Sequence, residues 1–213
     1  MTGGNGSSAE RRLELISTVL LALATVATAW SAYQSRQWTG VQAEGTSHAT
    51  ATRLAENRFA GLASRQTQID VATFVQWVDA REQHNPQLAS FYLQRFREEF
   101  KRAFAAWLAT NPFENKAAPG TPFAMAQYRL KASQQADRLE ATAAEQSERA
   151  RAANQRADNY MLAVVLFASA LFFAGISTKL RSLRARTAIL GLGCVLFLGT
   201  VIWLATFPVQ LTT

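Results

Sequence analysis

The sequence predicts an all-α membrane protein with three transmembrane helices and an extramembrane helical bundle between the first and second. Three observations predict it. Apolar stretches of about twenty residues occur three times, each long enough to cross roughly 30 Å of hydrocarbon as a helix. Charge is concentrated between the first two: of 22 Lys and Arg plus 15 Asp and Glu, 29 lie in residues 34–158. A short connector between the second and third stretches carries four basic residues and no acidic one. The mean hydropathy of −0.03 averages over these two phases and describes neither.

Residues 1–12 open with MTGGNGSSA, small and polar, which predicts a disordered cytoplasmic N-terminus. The first span is 13–33, with Glu14 at its edge as its one charge. Arg11 and Arg12 before an apolar run, and Ala27-Thr28-Ala29 within it, also fit a cleavable secretory signal. The length of the run and its ending in Trp30, Tyr33 and Trp38 favour a retained anchor with an interfacial aromatic belt. Either reading exports residues 34–158.

The second span is 159–178 and the third 188–208. Basic residues in short flanks face the cytoplasm, so Lys179, Arg181, Arg184 and Arg186 place loop 179–187 inside. Arg11 and Arg12 place the N-terminus there too, and three spans require these two assignments to agree. Residues 34–158 and the C-terminal tail 209–213 then lie outside the cytoplasm. Trp30, Tyr33, Tyr160, Trp203 and Phe207 all map to the outer boundary.

Within the insert, helical periodicity resumes near Val41 and runs to about Gln83. Ala55, Phe59, Leu62, Ile69 and Val78 form a partial apolar face, interrupted by Gln66 and weakened by Gly45 and Gly61. Asn85-Pro86 ends it, because proline pushes its predecessor out of helical geometry. A helix over about 86–109 follows, with Leu88, Tyr92, Phe96, Phe100, Phe104 and Leu108 at every fourth position, the pattern of a core face. Asn111-Pro112 closes it. The loop NPFENKAAPGTP is then anchored by Phe113 and Phe123.

The last insert helix is predicted to run unbroken from about residue 125 into the second span. Ala136, Leu139, Ala143, Gln146, Ala150, Ala153, Ala157 and Tyr160 follow a three-four spacing, a coiled-coil seam made mostly of alanine. The spacing continues through Val164, Phe167, Leu171 and Ala174. Alanine permits close helix approach while burying little surface per residue.

The motifs of metal, nucleotide and nucleophile chemistry are missing: the sequence contains no H-E-x-x-H, C-x-x-C, G-x-x-x-x-G-K-[ST] or G-x-S-x-G. His48 and His84 are isolated, and the lone Cys194 cannot form an intramolecular disulfide. Glu98-Glu99 sits within RFREEFKR and reads as a charge-laced surface. No cofactor, metal or catalytic residue is therefore nominated, and the expectation is a non-enzymatic protein. The net charge of +7 raises nucleic-acid binding, but the insert is only mildly basic and shows no clustered face, so no nucleic-acid partner is expected.

Inside the spans no Asp, Glu, Lys, Arg or His lies beyond the terminal turns, which disfavours an ion-coupled transporter. Small residues are frequent instead. Thr18, Ala22, Thr25 and Ala29, continuing to Ala32, form a stripe on the first span that is a candidate packing face or, in a homo-oligomer, a candidate pore lining. Ala170, Ala174 and Thr178 on the second span, with Gly191 and Gly199 on the third, suit close packing too. Lys179, Arg181, Arg184 and Arg186 are candidate contacts for anionic lipid headgroups. The expected partners are thus the bilayer and further copies of the chain.

The segments LATVATAWSAYQSRQWTGVQA, QIDVATFVQWVDA and FFAGISTKLR, with LGTVIWLATFPV, resemble a family of uncharacterised bacterial inner-membrane proteins over most of residues 13–209. The resemblance implies a multi-pass protein of the bacterial inner membrane. It carries no activity that could be assigned to a residue.

Overall fold

The computed structural model describes residues 4–210, with side chains from Glu10 onward. Five helices account for most of it: α1 (Gly4–Glu82), α2 (Pro86–Arg95), α3 (Glu98–Leu108), α4 (Lys131–Ser177) and α5 (Leu183–Leu204), with a 3₁₀ turn at Pro122–Ala124. No strand occurs among the described residues. Three of the helices, α1, α4 and α5, are long and apolar enough to cross a membrane.

Several boundaries differ from expectation. The N-terminus expected to be disordered over 1–12 is helical in backbone from Gly4, its first three residues lying outside the description, as do residues 211–213 of the tail. Adding residues to an existing helix gains one hydrogen bond each without a new nucleation cost. The same economy explains why α1 passes through Gly40, Gly45 and Gly61 without a break at residues 34–40.

The chain divides into two compact units: Met1–Ser47 with Gln146–Thr213, and His48–Glu145. The divide falls inside the insert expected at 34–158. Residues 34–47 and 146–158 pack with the first unit because Trp38 is buried among Ala153, Ala157 and Tyr160. A Cβ at Gly45 would lie only 3.2 Å from that of Ala150, so glycine there lets α1 and α4 approach closely.

The first unit is inverted relative to a water-soluble bundle. Ser17, Ala24, Ser31, Gln34, Ser35, Ala163, Ala170, Ala174, Ser177 and Thr200 are buried inside it. Leu15, Val26, Phe172, Val195 and Ile202 are 60–70% exposed outside it. Water drives large apolar side chains inward, whereas lipid does not, and small residues then let helix backbones pack tightly. The alanine seam of α4 is buried at Ala150, Ala153, Ala157, Tyr160, Phe167 and Ala174, joined by Ala163, Ala170 and Ser177. A straight helix drifts about 20° per heptad, which turns Val164 and Leu171 to half-buried positions. Aromatic rings collect at one end of this unit, with Phe207 6.0 Å from Tyr160 and 4.8 Å from Trp203 between centroids. The Arg156 guanidinium lies 4.5 Å from the Trp38 ring centre there.

The second unit is built on rings. Phe74, Trp77, Phe96, Phe100, Phe104 and Trp107 form its core. Phe123 stacks on Phe100 at 5.1 Å, whereas Phe113 stays half exposed against Trp107 and Arg81. The expected single helix over 86–109 is two helices: Phe96 and Arg97 are extended, with ψ of 141° and 148°. The expected start of α4 near 125 moves to Lys131, residues 125–130 being turns.

The end of α1 explains His84. The His84 N–H donates to the Arg81 carbonyl and the Asn85 N–H to that of Ala80, with His84 at φ 55°. This is the Schellman arrangement, whose left-handed position favours glycine. Asn85 Oδ1 then accepts from the Leu88 N–H at 3.0 Å and caps α2. His84→Gly is accordingly expected to raise stability by about 0.5–1 kcal/mol, read as an increase in thermal midpoint. A decrease would mean that the imidazole itself contributes.

Candidate functional site

The stripe Thr18, Ala22, Thr25 and Ala29 lies on the exposed side of α1. The Thr18 and Thr25 hydroxyls donate to their own helix, to the Glu14 carbonyl at 2.9 Å and the Leu21 carbonyl at 2.7 Å. The face that packs within the chain is the neighbouring one, containing Ser17, Leu20, Ala24, Ser31, Gln34 and Trp38. The stripe is thus not the face that packs within the chain; all four residues are exposed.

Short polar contacts fasten the real seam. Ser17 Oγ donates to the Ala174 carbonyl at 3.0 Å and lies 3.5 Å from Ser177 Oγ. Higher up, Ser35 Oγ donates to the Ala157 carbonyl at 3.0 Å. Gln34 is fully buried: its amide donates to the Gln210 carbonyl at 3.1 Å and accepts from the Gln210 N–H at 3.0 Å. The Tyr160 hydroxyl donates to the Pro208 carbonyl at 3.1 Å. These bonds give partners to backbone groups where the chain leaves α5.

The loop expected at 179–187 is shorter, because α5 begins at Leu183: Lys179 and Arg181 lie in the turn after α4, whereas Arg184 and Arg186 lie in the first turn of α5; the first three are exposed and Arg186 is half-buried. Ion pairs of the described residues include none of these four. Arg186 Nε is buried with no hydrogen-bond partner there.

The second unit contains a polar cluster that the sequence pattern does not announce. Asp70 is 1% exposed. Its Oδ2 accepts from Arg97 Nη1 at 2.9 Å and from the Tyr128 hydroxyl at 3.0 Å. Arg97 Nη2 bonds Glu99 Oε2, and Glu99 Oε1 accepts from the Lys131 N–H at 3.1 Å. One network therefore ties α1, the break before α3, the turn at Tyr128 and the first residue of α4. Glu99 belongs to it, while its neighbour Glu98 is exposed and paired with Lys101 at 2.8 Å. The expected surface pair is thus half structural.

Burial pushes the Asp70 carboxyl above its ordinary value of 3.8, against the lowering effects of the Tyr128 hydrogen bond and the Arg97 charge. Burial likewise pushes Tyr128 up to about 12 from 10.0. For an acid whose pKa is raised in the fold, the contribution to stability is complete below the unfolded value. It is lost as pH rises through the folded one. The stability difference between wild type and Asp70→Asn is therefore expected to shrink as pH climbs from about 3.8 toward neutrality, measured by thermal unfolding of the two proteins in detergent. A difference curve that is flat with pH would remove Asp70 as the titrating group. The Tyr128 contribution is lost between about pH 10 and 12.

The chemistry of this cluster is positional. The Asp70 carboxyl, buried and engaged by Arg97 and the Tyr128 hydroxyl, holds chain segments in place. No group of three His, Cys, Asp or Glu suited to a metal occurs among the described residues. Comparison with known protein families, curated proteins and solved structures finds no match to this chain.

Proposed function

We propose that this chain is a non-enzymatic multi-pass protein of the bacterial inner membrane, a homo-oligomeric scaffold, interaction or sensor protein. In this reading the N-terminus and loop 179–187 face the cytoplasm, and the helical bundle inserted between the first two spans is extracytoplasmic. The observation that carries the membrane reading is the first unit's surface: Leu15, Val26, Phe172, Val195 and Ile202 stand exposed while Ser17, Ser31, Gln34 and Ser177 are buried. The basic flanks at Arg11, Arg12 and Lys179–Arg186 support the orientation. Helix α4, unbroken from Lys131 to Ser177, supports mechanical coupling, because a continuous helix transmits tilt or rotation along its length. The bacterial setting comes from the resemblance of the span sequences.

Two measurements test it. A cysteine at Ser182 in a Cys194→Ser background should react with an impermeant thiol reagent only after the cytoplasmic side is opened; reaction from outside overturns the orientation. Cross-linking in native membranes should give discrete oligomers, and monomer alone overturns the homo-oligomer.

The exposed face of Thr18, Ala22, Thr25 and Ala29 favours a second reading, in which that face lines an oligomeric ion channel or pore. Planar bilayers containing the purified protein should then pass ions, with conductance reduced by a bulky residue at Thr25. Silent bilayers dismiss this reading.

A further inference from the structure

An apolar groove of about 300 Å³ runs along the outside of the first unit between α1 and α5. Leu15, Ile16, Val19 and Leu23 form one wall, and Phe197 and Leu198 belong to the other. The two helices rise in the same direction. Leu20 Cδ2 lies 3.6 Å from where a Cβ of Gly193 would sit, and fourteen residues further along α1 the Gln34 amide meets Gln210.

The lower ends of both walls carry an arginine. At about 100° per residue, Arg12 falls within about 40° of Ile16 and about 20° of Val19 and Leu23. It therefore continues the stripe that forms the α1 wall. On α5, Arg186 falls about 20° from Phe197, eleven residues deeper, and so continues the opposite wall. Measured from the level where Leu20 meets Gly193, Arg12 is about 12 Å and Arg186 about 10 Å down the helix axis. The two cations thus stand at one depth, on either side of the groove's lower end. Glu10 and Glu14 share a stripe on the far side of α1 from Arg12. Arg186 Nε is buried without a hydrogen-bond partner among the described residues.

We propose that this groove is a binding site for an anionic glycerophospholipid, an acyl chain lying between α1 and α5 and the phosphate held by Arg12 and Arg186. The assignment rests on the membrane reading above. It goes beyond the general attraction of a basic loop to anionic headgroups, since it specifies two of the chain's cations and a chain-shaped cleft. Guanidinium groups engage phosphate through paired N–H donors, and their aliphatic stems can lie along apolar walls while the heads reach the headgroup layer. A lipid, rather than free phosphate, is the occupant because the space above the arginines is apolar over its whole depth.

The test uses the full-length protein reconstituted in nanodiscs of phosphatidylcholine containing a graded fraction of phosphatidylglycerol, with bound lipid counted by native mass spectrometry. Wild type should retain phosphatidylglycerol over phosphatidylcholine. Arg12→Gln and Arg186→Gln should each lower that preference about fivefold, the equivalent of about 1 kcal/mol per basic residue near the surface. Val19→Trp keeps both arginines but fills the groove, and it should release the retained lipid as well. Glycerol phosphate, a headgroup without chains, should not compete.

Preference that survives the double arginine replacement overturns the site. So does preference untouched by Val19→Trp, which would reduce the effect to surface charge. A chain that enters phosphatidylcholine nanodiscs but shows no lipid preference overturns the site alone. A chain that does not enter them overturns the membrane reading together with it.

Discussion

Arg97→Met is expected to destabilise residues 48–145 by about 3–5 kcal/mol, the range for leaving one partner of a buried ion pair without the other. The substitution keeps the aliphatic bulk and removes the cation. Asp70 is 1% exposed and has only Tyr128 left as a donor to Oδ2, while its Oδ1 already has no partner among the described residues. The carboxyl should then be raised further, since the Arg97 charge is one of the effects that lower it. Asp70→Leu should cost less, because Arg97 is 23% exposed in its side chain and keeps Glu99. The double replacement should recover most of the loss, as apolar pairs of similar volume replace buried ion pairs at little cost. Thermal unfolding followed by near-ultraviolet circular dichroism gives the three values. If the double replacement is as damaging as the two single ones added together, the two residues do not act on one another and the clamp is misassigned.

This clamp also marks where sequence reading ended. The stripe from Leu88 to Leu108 reads as one helix because each fourth residue is apolar. Yet Arg97 reaches Asp70 from an extended N-cap position, and that interaction between distant segments overrides local helix propensity. Nothing in QIDVATF or FREEF separates a buried acid and its cation from the many solvated pairs around them.

The three helices long and apolar enough to span a membrane were legible for a stronger reason: crossing one requires about twenty apolar residues in succession and a self-satisfied backbone. Which face of α1 packs inside was also available. Ser17, Ala24, Ser31 and Trp38 recur every seventh residue, with Leu20, Ala27 and Gln34 between them, the spacing of a heptad seam. Gln34 and Trp38 disguise it, being large and polar or aromatic among smaller residues. The stripe of Thr18, Ala22, Thr25 and Ala29 is its neighbour by one residue and more uniform in size. Its uniformity belongs to a surface that the chain leaves exposed. The seam of α4 is legible in its phase because five of its seven positions from Ala136 to Ala157 are alanine.

Phe100→Ala should cost about 3–5 kcal/mol by removing a large buried ring and leaving a cavity. Phe100 is fully buried and sits between Phe74, Phe96, Phe104, Phe123 and Tyr128, with centroids 4.7–6.2 Å away. It joins elements distant in sequence: α1 through Phe74, the helix break through Phe96, and the proline-rich loop through the stacked Phe123. Its loss should therefore loosen segments that it does not belong to. Hydrogen exchange of the full chain in detergent should rise in residues 98–108 and in amides around 121–130. Exchange in residues 159–177 and 183–204 should stay at wild-type values, because their packing contains none of these rings. Phe100→Leu should fall between the two, since it keeps much of the volume but loses the ring contacts. Should exchange rise equally in these apolar helices, the aromatic core and the first unit would open as one cooperative body, and the proposed coupling along α4 would be tighter than the packing of either unit suggests.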